Sequence, residues 1–256
     1  MTILTVFNRN STSALPVLAD IATSINNEHK EVVGINRRAL EHAQVVRGCQ
    51  SGSSSEQRSY FQDLGFNLFD LMVMVSSGFH LPTKGKYVNQ YQQAMIMSKG
   101  RPRSVTILAD RPNRTVGKIS KGMRRSRNGD LIKDHKGAPA PPFGKRGNVW
   151  EYVVGWGNTT RDHYAYGHPA LMAERMAQDH ILSRSRPNDI VFDPMCGAAT
   201  TCKMALLNHR RYLGVEIHEP YFDIAVQRMV EAQKKYQQEL DEAIEADLLR
   251  ADRQMT

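Results

Sequence analysis

The chain has 256 residues, 41% hydrophobic and 23% charged, a balance that excludes wholesale disorder and gives one large domain or two small ones around a sizeable core. Its mean hydropathy is −0.48 and no apolar run approaches the ~18 residues of a membrane span, so a transmembrane helix is excluded. Net charge is 34 − 26 = +8, and Lys99 to Arg146 alone holds 14 basic against 3 acidic residues, which points to a polyanionic partner, most simply nucleic acid, or else to a solvated loop.

The first nine residues, Met1 to Arg9, lack the charged-then-apolar order of a signal peptide. Three cysteines (Cys49, Cys196 and Cys202) form neither a disulfide framework nor a metal-ligand set, so a reducing interior is expected. Nine histidines show no ligand spacing, and no metal site is expected. These features describe a soluble intracellular protein.

Residues 1–14 read as a loose tail. From Leu15 to Val46, the apolar residues Leu18, Ile21, Ile25, Val32, Ala39, Leu40 and Ala43 recur near a helical period, which predicts one amphipathic helix or two joined near Gly34. Gly48 to Ser55 is a linker by composition, and Glu56 to Leu64 a short helix closed by Gly65. Leu71–Val75 and Ala94–Met97 read as buried strands, with a loop from Gly78 to Lys86 between them. The basic block then runs to Gly147, and Val149–Val154 is a further strand.

Pro169 is expected to open a helix reaching Ser183, because a proline in the first turn forfeits no hydrogen bond. Arg186–Asp189 turns into a strand, Ile190–Phe192, which ends at Asp193. A Gly/Ala bend leads to a helix over Thr200–Leu207, then to a strand over Tyr212–Ile217, and Glu219-Pro220 opens the last helix. The pattern divides the chain into an N-terminal helical segment and linker over 1–55 and an α/β domain over 56–256, with a basic insertion at about 99–147.

Strand, small-residue loop, helix and a second strand carrying an acid make half of a nucleotide-binding layout. Gly197, Ala198 and Ala199 let a ligand approach the backbone, and the start of the Thr200 helix offers unpaired N–H groups. Glu216 lies 23 residues beyond Asp193, where a carboxylate can accept from ribose hydroxyls. Asp193 at the loop entrance would repel a pyrophosphate but suits the ammonium of a methionine moiety. That favours S-adenosylmethionine over a dinucleotide, while an ordinary βαβ connection with incidental small residues is the plainer alternative.

Asp193-Pro-Met-Cys-Gly-Ala-Ala-Thr-Thr201, with Tyr212-Leu-Gly-Val-Glu-Ile217 and Pro220-Tyr-Phe-Asp-Ile-Ala225, resembles the cofactor half of the exocyclic-amine DNA methyltransferases. Gly167-His-Pro-Ala170 resembles the segment lining the methionine part of the cofactor, and its place before the cofactor loop matches the β-class order. Phe66–Asp70, Ile96–Gly100 and Gly147–Trp150 are further matches, so the resemblance spans roughly Gln57 to Met229. It implies an α/β fold with a methyltransferase-type (Rossmann-like) sheet. It also implies methylation of adenine or cytosine amino groups in double-stranded DNA by S-adenosylmethionine, in a prokaryotic or phage-encoded cytoplasmic enzyme of the restriction-modification kind. The implied cofactor contacts are Asp193, Met195, Gly197, Ala199, Thr200, Glu216, His168 and Pro169.

Three departures stand against that pattern. Met195 replaces the family's Phe, and a methionine can still cover an adenine face. Ala199 replaces its second Gly, which costs about 1–2 kcal/mol if the position needs a left-handed backbone. The third is an absence. The family grips the target amine with Asp, Asn or Ser followed by Pro-Pro and an aromatic, and residues 1–56 contain no Pro-Pro. The motif Ala140-Pro-Pro-Phe143 has no side-chain oxygen and reads as a loop. The expected sheet is therefore incomplete on its N-terminal side and the catalytic residues are unassigned. The alternatives are completion by a second copy or a partner chain, or a non-catalytic DNA- or partner-binding protein derived from a truncated methyltransferase.

Lys118, Lys121, Arg124, Arg125 and Arg127 are the candidate phosphate contacts. Trp150, Tyr152 and Trp156 could stack on bases, although strand aromatics are more often buried. Cys196 sits in the loop without a neighbouring base and reads as an apolar filler.

Overall fold

Short runs of Val, Ile and Met, too brief for helices and rich in β-formers, supply a sheet that is held together by pairings far apart in sequence. A computed structural model describes residues 2–6, 32–36, 45–46, 49–50, 53–77, 85, 87–88, 90–119, 122–133 and 138–255. The first half of the chain runs β1 (Thr2–Val6), β2 (Val32–Asn36), β3 (Val45–Val46), β4 (Cys49–Gln50), α1 (Ser53–Asp63), β5 (Asn67–Ser76), β6 (Tyr91–Ser98), β7 (Arg111–Pro112) and β8 (Met123–Arg125). There follow β9 (Leu131–Lys133), β10 (Phe143–Gly144), β11 (Val149–Tyr152), a 3-10 turn (His163–Gly167), α2 (Glu174–Arg184), β12 (Ile190–Asp193), α3 (Thr200–Leu207), β13 (Arg211–Gly214) and α4 (Glu219–Met255).

Among the described residues, seven strands form one sheet in the order β11-β5-β6-β2-β1-β12-β13. Only β6 runs antiparallel to its neighbours. The other six therefore point the same way, and their C-terminal ends share one edge, where open α/β sheets bind ligands. The chain divides into two compact units, Met1–Thr106 with Asn148–Thr256, and Ile107–Gly147. The second unit is built from the antiparallel pairs β7–β10 and β8–β9.

Behind the ligand edge, Ala177 and Ile181 of α2 pack with Val191 of β12 and with Met204 and Ala205 of α3. Ala199, Cys202 and Ala225 form a second cluster against Tyr212 and Met229. Gly214 is required there for space, since a Cβ would lie 2.7 Å from Cys202 Sγ and 3.0 Å from Cys196 Sγ. The hydrogen bond with Cys196, and then burial, push the Cys202 thiol well above the usual thiol range. Among the described residues, no helix is long and apolar enough to cross a membrane.

The N-terminal expectation is corrected. Thr2–Val6, expected in a loose tail, is a strand between β12 and β2, and Val32–Asn36, expected in a helix, pairs with β1 and β6. The expected helix over residues 15–31 and 37–44 lies outside the described residues. Val-Val-Gly-Ile matches a helical apolar period by spacing, yet its β-branched residues favour the strand once partners exist on both sides. The N-terminal side accordingly does supply strands to the sheet, β1 and β2. In the expected linker, Val45–Val46 pairs with Cys49–Gln50 and α1 begins at Ser53.

Two later boundaries also move. The helix expected from Pro169 begins at Glu174 instead. The residue before a proline is pushed to extended geometry, and His168 adopts it with ψ 126°. The helix start is then fixed by the Glu174 N–H donating to the Thr159 carbonyl (3.0 Å). The last strand ends at Gly214, short of the expected Ile217, because the Glu216 carboxylate turns back to accept from backbone N–H groups.

Candidate functional site

The loop between β12 and α3 is short, so its backbone has to take conformations that most side chains forbid. Gly197 has φ +52°, and a Cβ there would lie 2.8 Å from His168 Nε2. Ala199 has φ 56° and ψ 33°, the left-handed region, in spite of its Cβ, at a cost of about 1–2 kcal/mol. The sequence departure at this position is therefore a real strain. The Ala199 N–H donates to the Cys196 carbonyl (2.8 Å), and the Cys196 N–H to the Val215 carbonyl (2.9 Å).

Asp193 is buried at the end of β12, with Oδ1 accepting from the Met195 N–H at 3.1 Å. Burial, with the nearby Glu216 adding in the same direction, pushes its carboxyl up to about 6. Glu216 accepts from the Gly197 N–H (2.9 Å) through one oxygen and from the His218 N–H (2.8 Å) through the other. Each oxygen keeps a further acceptor site. His168 Nδ1 accepts from the Ala170 N–H (3.2 Å), its ring meets Tyr221 edge-on, and burial holds it below the usual imidazole range.

Sequence reasoning missed the group that fastens this loop. Arg228 of α4 is 1% exposed. Its Nη1 donates to the Ala198 carbonyl (2.7 Å) and Thr200 Oγ1 (2.8 Å), the two residues flanking strained Ala199. Nη2 donates to Thr160 Oγ1 (3.1 Å) and Glu174 (2.7 Å), and Nε to Asp162 (2.6 Å). Lys203 Nζ donates to the same Asp162 (2.6 Å) and Glu174 (2.7 Å). Burial alone would raise both carboxyls, but hydrogen bonds from Arg228 and Lys203 to Asp162, and from Lys203 and Thr160 to Glu174, with the charges of both cations, outweigh it and hold them below the usual range. A signal for Arg228 was present: it stands on the inward stripe of α4 between buried Ala225 and Ala232.

The structure thus gathers Asp193, Met195, Gly197, Ala199, Thr200, Glu216 and His168 at the ends of β12 and β13, with Met195 half-buried and Thr200 buried. Pro169 is exposed beside them in sequence. Lys118, Arg125 and Arg127 are exposed in the second unit, Arg124 lies on β8, and Lys121 is outside the described residues. Ala140-Pro-Pro-Phe143 also belongs to that unit. There the Pro141 and Pro142 carbonyls already accept from Asn113, and Phe143 pairs with Pro112, so the motif is a structural turn. β1 pairs in parallel with β12, Thr2 opposite Val191, so the chain leaves Val6 at the cofactor edge. Residues 7–31 lie outside the described residues.

A family model described as DNA methylase, of the N6/N4 type, matches residues 28–227, starting upstream of the motif resemblance. The orphan methyltransferase M.BamHII of Bacillus amyloliquefaciens is 42% identical over 185 residues, 72% of this chain and 70% of that protein. The DNA adenine methyltransferase YhdJ of Escherichia coli (strain K12) is 31% identical over 99 residues, 38% of this chain and 33% of that one. In fold, the chain is similar to the PvuII cytosine-N4-specific DNA methyltransferase, at TM-score 0.58 and 15% identity over 94% of this chain and 85% of that one. It is also similar to the M1.HpyAVI–SAM complex, at TM-score 0.54 and 17% identity over 89% and 87%.

Removing Arg228 leaves two half-buried carboxylates to one lysine and frees the bonds beside Ala199. Arg228→Met is expected to cost about 3 kcal/mol in urea unfolding, and Arg228→Lys clearly less. A loss under about 1 kcal/mol for Arg228→Met would show that the network does not hold the fold.

Proposed function

We propose that this chain, which belongs to the DNA methylase family of the N6/N4 type, transfers a methyl group from S-adenosylmethionine to an adenine or cytosine amino nitrogen of DNA. The observation that carries the reading is the constellation at two adjacent parallel strand ends: buried Asp193, the loop opened at Gly197, and Glu216. These residues fit the cofactor. A buried carboxyl gains most from a nearby ammonium, and Glu216 has acceptor sites left for ribose hydroxyls. We assign Met195, Ala199, Thr200, His168 and Pro169 to the lining of the same site.

When bound, S-adenosylmethionine supplies a methyl group activated on a sulfonium. The chain's own contribution is to bind, orient and exclude water, the terms available to a direct in-line transfer. Ile107–Gly147 is proposed as an inserted DNA-recognition unit, with Lys118, Lys121, Arg124, Arg125 and Arg127 on phosphates. That unit holds 11 basic and 3 acidic residues, a net +8, while the rest of the chain carries 23 of each. We place the enzyme in the cytoplasm of a prokaryotic or phage-infected cell.

Tritiated methyl transfer into mixed genomic DNA tests the function. Label is expected on an amino nitrogen, slowly for the isolated chain because residues 1–56 lack the amine grip. A specific rate that climbs with protein concentration identifies a second copy as the completing chain, and one that climbs only with added cell extract identifies a different partner. No label under any of these conditions overturns the reading.

Only ionised Asp193 attracts an ammonium. With its carboxyl near 6, the affinity for S-adenosylmethionine should fall as pH drops through about 6, toward about tenfold per further unit. An affinity flat between about pH 5 and pH 7 would remove Asp193 from the site. Neutralising Arg124, Arg125 and Arg127 together should reduce the salt slope of duplex binding by up to about 3. An unchanged slope would return these residues to a solvated loop.

A further inference from the structure

Three aromatic side chains near β11 were candidates for stacking, and the structure separates them. Trp150 and Tyr152 are 6% and 5% exposed and belong to the core, whereas Trp156 is 66% exposed. Its ring is nonetheless fixed in place. It lies 4.6 Å from the Tyr166 ring at 31° and 4.8 Å from the His163 ring at 44°. His163 and Tyr166 are three apart in the 3-10 turn, where such residues eclipse, so both rings rise from one side. At 66% exposure, much of the Trp156 ring remains open to solvent despite these two contacts.

The loop that carries Trp156 is rigid by construction. Gly155 and Gly157 take φ +112° and +74°, conformations that a side chain would resist. The Gly155 N–H donates to Thr159 Oγ1 (2.9 Å), and its carbonyl accepts from the Thr159 N–H (2.9 Å) and the Tyr166 hydroxyl (2.8 Å). The Gly157 N–H donates to the same hydroxyl (2.9 Å). An open aromatic face on a pre-ordered loop pays little conformational entropy on stacking.

Its position is equally specific. β11 runs parallel to β5, and through the antiparallel β6 it points the same way as β12. Trp156 therefore leaves the sheet at the ligand edge. The chain then runs through Asp162, bound by Arg228, to His168, which closes on Gly197.

We propose that Trp156 is a stacking platform for an unpaired nucleobase of the DNA substrate, a role that rests on the methylase reading. A base drawn out of a duplex needs an aromatic face to replace its lost neighbours, and residues 1–56 supply no Pro-Pro-aromatic segment to provide one. Stacking is worth a factor of roughly 5 to 150 in affinity per base.

The chain has two tryptophans, and the buried one serves as an internal reference. The experiment compares a fully paired duplex with the same duplex carrying one bulged adenine or cytosine, in the presence of S-adenosylhomocysteine. Binding is read by anisotropy of labelled DNA, and stacking by tryptophan quenching and iodide accessibility. The bulged duplex is expected to quench Trp156 and shield it from iodide. Trp156→Ala should lose the quench and bind the bulged duplex roughly 5- to 150-fold more weakly, with paired-duplex and cofactor binding intact, while Trp156→Phe keeps most of the affinity. Trp156 as open to iodide in the complex as in the free chain, or equal bulged-duplex affinity for Trp156→Ala, overturns the platform. Failure to bind either duplex overturns the DNA reading instead.

Discussion

A guanidinium carries five N–H donors, and each one left without an acceptor out of reach of water costs free energy. Arg228 finds five acceptors, and they come from four stretches of chain: the Thr160–Asp162 loop, the first residue of α2, the cofactor loop and the start of α3. With Lys203 the cluster holds two cations and two carboxylates, so its net charge is zero. Such a network adds little net stability compared with an apolar core. What it does fix is geometry, because guanidinium donors are planar and rigid. The segment ending at His168, the loop ending at Thr200 and the helix α4 can adopt only one mutual arrangement if every bond is to be kept.

That arrangement explains how the loop tolerates Ala199. A non-glycine residue in the left-handed region persists only where its surroundings over-determine it. Here the carbonyl before it and the hydroxyl after it are held by the same Nη1, and its own N–H is held by Cys196. Its methyl group is repaid in part by packing against Cys202 and Ala225. Gly197 has no such substitute, because His168 occupies the place its Cβ would take. The two small residues of the loop are thus small for different reasons, one for space beside a side chain and the other as a strained residue clamped from both sides.

How much of this was legible follows from range. β12, α3 and β13 form one contiguous stretch in which small residues, helix start and second strand lie within a few turns of one another, so Asp193, Gly197 and Glu216 could be placed from local pattern alone. β1 and β2 could not. Thr2–Val6 is five residues long, and its identity as a strand depends on β12, roughly 190 positions away. The apolar spacing around Val32 fits a helix as well as a strand, and only pairing on both sides decides it. The Arg228 network was illegible for a related reason. Each member alone reads as a surface charge, and only Arg228, out of place on an apolar stripe, carried a trace of the cluster.

Charge is divided unevenly between the two units. With every unit of net charge in Ile107–Gly147 and 23 basic against 23 acidic residues elsewhere, any long-range attraction to a polyanion would come from the smaller unit. The larger unit is free of that demand, and some of its charged groups are turned inward, in the Arg228 cluster and at buried Asp193. Burial, with the neighbouring Glu216 adding in the same direction, raises the Asp193 carboxyl to about 6, so a cation brought beside it would be held most strongly once that carboxyl is ionised. Concentrating the basic residues in Ile107–Gly147 therefore leaves the unit that carries Asp193 and Glu216 with balanced charge, so what sets the Asp193 carboxyl is local: its burial, Thr201, Met195 and Glu216.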